Sequence, residues 1–259
     1  RDVIRHNCFD EFWSACTMKG KYEEVDTPAY FITGWYDNLV HEGFKCFAGW
    51  QRSKSEETRK YTRLMVGPWT HSKIGSAEPF GDTDFGPSAE IDIPREHVRW
   101  YDQRLREIDT GIDDELRVRI FVMGENVWRS EECWPLKRTV YTKFYLHSEG
   151  KANSLAGDGT LNEERPGDEE TDSFDYDPED PVPTVGGQSM FAANTGPRDR
   201  RSLETRTDVL VYTTPELKEG VEVTGPIELR LFAETSACDT DFTATLVDVH
   251  PDGAAIHIT

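Results

Sequence analysis

Apolar positions fall into three patterns along the chain. From 9 to 18 (FDEFWSACTM), Phe9, Phe12, Trp13 and Cys16 recur at i, i+3, i+4 and i+7, a spacing that lines up one side of a helix. Thr27-Pro28 then punctuates entry into 29–34 (AYFITG), a short β-rich run that reads as a buried strand. Residues 41–52 (HEGFKCFAGWQR) place Phe44, Phe47, Ala48 and Trp50 at helical spacing, and 61–66 (YTRLMV) reads as a second buried strand. Strand–helix–strand over 29–66 is the signature of a βαβ unit with parallel pairing. The Gly67-Pro68 that follows reads as a tight turn. A further helix is expected from 94 to about 108, with Val98, Tyr101, Leu105 and Ile108 on its apolar face, ending before Gly111.

Beyond Gly111 the pattern changes. Strand-like runs at 118–123, 141–146, 209–212, 221–223, 228–234 and 241–249 follow one another without long helices. Acidic, turn-rich connections such as 150–189 separate them. That order predicts an all-β sandwich or jelly roll, with the boundary near 111–117. The stretch 163–180 reads either as disordered or, because Phe174 and Tyr176 interrupt its acidic residues, as a long ordered connection. The first residues hold neither an initiator methionine nor a signal peptide, and the last (GAAIHIT) stop inside a strand-like run. Both ends are therefore expected to be cut from a longer chain.

Composition narrows the function classes. The 259 residues hold 49 acidic against 29 basic side chains, a formal charge of −20. With no basic stripe, this argues against nucleic-acid partners and acidic substrates. No Ca²⁺-binding loop motif appears, so the excess reads as a solvated acidic surface suited to high salt. No apolar run is long enough to span a membrane. The five cysteines (8, 16, 46, 133 and 238) are odd in number, scattered and free of a C-x-x-C. They argue against a disulfide framework or a zinc site and suit a reducing, cytoplasmic compartment. Cys8 and Cys16 read as buried small hydrophobes.

Candidate chemistry sits at the strand ends. In a right-handed βαβ unit both parallel strands release their loops at one edge of the sheet, where open α/β folds build their sites. Asp37 lies three residues past Gly34, and His71 four past Gly67, in GWYDN and GPWTHS. A carboxylate on one imidazole nitrogen fixes the tautomer and leaves the other nitrogen to take a proton from a nucleophile. A purely structural Asp–His hydrogen bond, or two loop residues that never meet, are the alternatives. No G-x-S-x-G is present, and Ser14, Ser53, Ser72 and Ser76 lack the flanking glycines of a nucleophile turn. Trp69 reads as a packing residue that shapes the His71 turn.

GWYDN (34–38) and GPWTHS (67–72) resemble the Asp and His motifs of cocaine-esterase-like hydrolases, a group that includes X-prolyl dipeptidyl peptidases. Further similar stretches follow in order: VRIFVMGENVWR, WPL, YDPEDPVPTVGG and VTGPIELRLFAETSACDTDFTATLVDVHPDG. The resemblance implies α/β plus all-β architecture, with the C-terminal part of an α/β-hydrolase core followed by a jelly-roll β-sandwich. Residues 1–25 would end a helical cap, 26–112 the hydrolase core, and 113–259 would form the sandwich. It further implies a serine hydrolase that cleaves small ester or amide substrates through an acyl-enzyme, with no metal or organic cofactor, in a homodimer or larger homo-oligomer. Asp37 and His71 fall on the triad carboxylate and base, while the serine and the oxyanion Tyr would lie upstream of Arg1. Leu39, Met190 and Phe191 fall on apolar substrate-pocket positions, with core or loop packing as the alternative. A non-catalytic sandwich binding carbohydrate or protein is the second functional class.

Overall fold

The computed structural model describes residues 2–190 and 194–259. Two short helices come first, α1 (Asp2–Arg5) and α2 (Glu11–Cys16). Asp10 caps α2, its side chain accepting from the backbone N–H groups of Phe12 and Trp13. The stripe expected over 9–18 is cut to α2 and buries nothing: Phe9 and Phe12 are exposed. Six residues make under two turns, too few to seat an apolar face. Cys8 and Cys16 ride on this segment and are exposed, which overturns their assignment as buried residues.

The core is a four-stranded mixed sheet. β1 (Tyr30–Tyr36) is followed by α3 (Val40–Trp50) and α4 (Glu56–Tyr61), then β2 (Arg63–Thr70). α5 (Ile93–Leu105) leads to β3 (Val118–Val122) and β4 (Val127–Glu131), and the sheet order is β1-β2-β3-β4. β1 with β2 and β2 with β3 pair parallel, while β3 and β4 form an antiparallel hairpin. The expected βαβ unit is thus present. Its first strand runs two residues further than expected, and Tyr61 ends α4 instead of opening β2.

Cover on both faces explains the apolar run of β2, all eight residues of which are buried. On one face α3 packs Val40 and Phe47 against Leu64, Val66, Val118 and Ile120, with Phe31, Trp35, Phe44 and Trp134 at the margin. Ala48, expected on this face, points to solvent. On the other face Phe85 and Ala89 pack on Tyr36 and Phe121.

α5 departs from expectation. Its predicted apolar face, Val98, Tyr101, Leu105 and Ile108, is exposed, and Trp100 is the side chain turned inward, beside the ring of Tyr30. The helix is held by polar contacts: Arg99 to Glu115 and the Thr110 carbonyl, and Arg104 to Asp113. One large indole plus ion-paired arginines does the work that apolar periodicity was expected to mark.

The sheet also crosses the expected boundary at 113. Arg63, buried at the start of β2, donates to the carbonyls of Ile112, Glu115 and Leu116, and so clamps the turn that delivers β3. Leu64 then pairs with Val118. β3 and β4 are therefore continuous with the α/β sheet.

The remainder is β-rich but sparsely paired. β5 (Tyr145–His147) pairs with β6 (Thr160–Asn162), and after α6 (Arg201–Glu204) β7 (Val247–Val249) pairs with β8 (Ala255–His257), both antiparallel. The runs expected at 209–212, 221–223 and 228–234 form no strand, and 241–249 shrinks to β7, so a jelly roll is not resolved. Stretch 163–180 is a connection pinned at intervals. Asp172 accepts from the Ser148 and Tyr212 hydroxyls at 2.6 Å each, and Glu169 meets His147 at 2.7 Å. Among the described residues no helix is long and apolar enough to cross a membrane.

Candidate active site

β1 and β2 end side by side, and the register of their last residues places the candidate dyad. From Tyr30↔Arg63 to Gly34↔Gly67 the partners are in regular step, but Tyr36 then pairs with Thr70. β2 has taken in one extra residue at Pro68-Trp69. A proline cannot donate to a ladder, which suits it to such a bulge. Without the shift Asp37 would stand level with Thr70; with it, Asp37 and His71 become the next pair. The expected turn at Gly67-Pro68 is thus an irregular stretch of strand, and His71 opens a 3₁₀ turn directly after it.

Two glycines and one indole make that approach possible. A Cβ on Gly34 would fall 2.1 Å from the Trp69 carbonyl oxygen, and one on Gly67 would fall 2.5 Å from the Trp69 ring. Trp69 is wholly buried, as its expected packing role requires, and its Nε1–H donates to the Ala89 carbonyl at 2.9 Å.

His71 Nδ1 lies 3.0 Å from Asp37 Oδ1. Asp37 is 3% exposed and the His71 side chain 38% exposed, so the pair is sealed on the acid side and open on the imidazole side. A buried carboxylate must be compensated, and three donors converge on this one. The Leu39 N–H donates to Oδ1 at 2.9 Å, the Thr33 hydroxyl to Oδ2 at 3.2 Å, and His71 completes the set. The Val40 N–H donates to the backbone carbonyl of Asp37, so this residue sits at the N-terminus of α3. A carboxylate only accepts, so in the neutral ring Nδ1 carries the proton and Nε2 keeps its lone pair. Such an imidazole can take a proton from a hydroxyl placed before it. Ser14 and Ser53 are not such hydroxyls, since they donate to the carbonyls of Glu11 and Val25.

The other predicted positions separate. Leu39 stands beside the dyad, 47% exposed, its own amide on Asp37. Met190 is 52% exposed; two residues before it, the Gln188 side-chain amide donates to the Trp35 carbonyl at 3.1 Å. Phe191 lies outside the described residues. Thr33 is the residue that sequence reasoning passed over. Its one signal was a polar side chain in an otherwise apolar row, Phe31, Thr33 and Trp35.

The β-rich part is fastened next to this edge. The buried Tyr36 hydroxyl, on the residue before Asp37, donates to the His257 carbonyl at 3.0 Å, and Arg198 meets Asp82 at 3.0 Å. Burial and the nearby Arg200 cation lower the His257 imidazole to about 4, so this joint holds a neutral ring at physiological pH.

Comparison with known proteins places the chain. Residues 110–259 match the family model of the X-Pro dipeptidyl-peptidase C-terminal non-catalytic domain, and residues 1–73 that of the X-Pro dipeptidyl-peptidase (S15 family). A cocaine esterase of Rhodococcus sp. (strain MB1 Bresler) is 41% identical over 258 residues, 98% of this chain and 44% of that protein. A putative serine esterase of Mycobacterium bovis is 27% identical over 237 residues, 89% of this chain and 34% of its own length. The chain thus spans less than half the length of these curated relatives. Among solved structures, an aminopeptidase from a marine sediment archaeon, Thaumarchaeota archaeon, shares the fold with a TM-score of 0.63 at 22% identity, over 84% of this chain and 35% of that one. The chain belongs to the cocaine esterase and X-Pro dipeptidyl-peptidase (S15) family of serine hydrolases, of which it carries the end of the catalytic domain and the β-rich C-terminal domain.

Proposed function

We propose that this chain supplies the base half of a serine hydrolase that cleaves small esters or amides through an acyl-enzyme. The observation that carries the proposal is the Asp37–His71 contact of 3.0 Å at the adjoining ends of β1 and β2. In the proposed cycle His71 Nε2 takes the proton of a serine hydroxyl as that oxygen attacks the acyl carbon, then returns it to the leaving group. Water repeats the sequence to release the acid. Asp37 holds Nδ1 and stabilises the imidazolium that forms between the two transfers. The serine and its oxyanion donors belong to the hydrolase segment that precedes these motifs in the family. Leu39 and Met190 would border the acyl pocket. Residues 1–25 would be the tail of a cap, and the β-rich part a jelly roll whose loops reach over the site. The cocaine esterase relationship favours small ester substrates.

A fluorophosphonate probe tests this in a polypeptide that joins the chain to a nucleophile-bearing hydrolase segment. Labelling is expected there and not on the chain alone. His71→Ala should abolish it, and Asp37→Asn should slow it by about 10⁴, the order found when a triad carboxylate is neutralised. Undiminished labelling of His71→Ala would refute the proposal.

A further inference from the structure

We infer that Thr33 is a positioning residue for the dyad, its buried hydroxyl holding the second oxygen of Asp37 so that the first faces His71. The inference rests on the proposed roles of Asp37 and His71.

Strand alternation puts Phe31, Thr33 and Trp35 on the α3 side of β1, where Phe31 and Trp35 join the core cluster of Val40, Phe47, Leu64 and Val66. Thr33 is 4% exposed and polar in that row. A hydroxyl buried there is costly unless it is bonded, and valine would match its shape and strand preference without that cost. Among the described residues its hydroxyl has one use, the Asp37 Oδ2 atom at 3.2 Å. Its methyl is pinned as well: a Cβ on Gly43 would lie 3.3 Å from Thr33 Cγ2, so α3 comes close because position 43 lacks one. With the methyl against the helix, the β-branched side chain has its hydroxyl aimed at Asp37.

The carboxylate needs that second hold. The torsion that turns a carboxyl group about its Cβ–Cγ bond is broad and roughly two-fold. The Leu39 N–H and His71 Nδ1 both meet Oδ1, so without Thr33 the torsion would be held from one oxygen alone. Thr33 holds the other oxygen and completes a planar orientation. Through Asp37 it therefore fixes which His71 nitrogen carries the proton, without touching the ring.

The ring resonances of His71 in the ¹⁵N-labelled chain test the inference. The unchanged chain should show an Nδ1-protonated ring with a slowly exchanging Nδ1–H. In Thr33→Val, exchange of that proton with water should become about five- to tenfold faster, the ratio that loss of one hydrogen bond supplies, and the second tautomer should appear. Thr33→Ser keeps the hydroxyl and should restore both signals, which a methyl-packing role would not do. Should Thr33→Val fail to fold, Thr33→Ser still decides: loss of the Nδ1–H signal in a folded Thr33→Ser chain overturns the inference. So does a folded Thr33→Val chain with unchanged His71 signals. Asp37→Asn separates the two levels, because unchanged His71 signals there overturn the dyad itself.

Discussion

The four-stranded sheet and the β-rich region after it are both strand-like in sequence, yet they fold to very different degrees. In the sheet Met65 and Val66 are wholly buried, and α3 and the segment around Phe85 cover the two faces. In the second region the ladders are three residues long, and Val221, Val223, Ile227, Leu229 and Leu231 stay exposed although every second residue is apolar. Alternation records what a segment would bury. It does not supply the surface to bury it against. The sheet carries its own cover in the crossover helix, whereas 214–245 carries none and is held by polar clamps, chiefly Glu222 on Arg129 and the Thr139 hydroxyl on the Thr224 carbonyl.

Four substitutions would break or sharpen that contrast. Gly34→Ala should have the largest effect, about 3 kcal/mol or more of lost stability, because its Cβ meets backbone of β2 that cannot yield. A urea midpoint equal to that of the unchanged chain would mean that the strands do not approach as described. Next comes a matched pair. Leu64→Ala, buried, should cost about 2–3 kcal/mol, and Leu231→Ala, exposed, no more than about 0.5. Equal costs would erase the distinction between the regions.

The last substitution concerns the clamp, where the expected change is small. The Arg129 guanidinium holds Glu222 down to about 2 from its ordinary 4.5. The unfolded chain therefore binds that proton first, and the clamp stabilises fully above pH 4.5 and fades as the pH falls towards 2. Both side chains are partly exposed, so the contribution is at most about 1 kcal/mol. Arg129→Gln should flatten the acid limb of the stability curve by that amount in melts between pH 5 and 2. An unchanged limb would remove the clamp from the account.

The parts legible in sequence are those governed by local period. Phe44 and Phe47 announced α3, and the density of 63–66 announced a doubly covered strand. Asp37 and His71 could be singled out because topology brings the ends of neighbouring parallel strands to one edge, although the register shift that sets them level was not legible. What escaped was set by distant partners. Gly67-Pro68 carries the composition of a turn, but Gly67 is there to admit the Trp69 ring, a contact that no spacing rule reveals. The stripe of α5 pointed outward because Arg99 and Arg104 found carboxylates on the following turn. Nothing within 118–122 tells which sheet it joins; Arg63, more than fifty residues earlier, decides that by clamping the turn ahead of it. Thr33 was hidden by its ordinary strand preference.

The continuity of β2 with β3 bears on how the polypeptide can be divided. The family boundary at residue 110 invites a gene cut there, to produce the C-terminal domain separately. Such a product would begin with β3 stripped of its parallel neighbour, and Val118, Ile120 and Phe121, now fully buried, would lose part of their cover. It would emerge with a bare sheet margin ready to recruit another molecule, and would be prone to clump in the expression host. Scissors placed after Glu131 would leave all four strands on one piece.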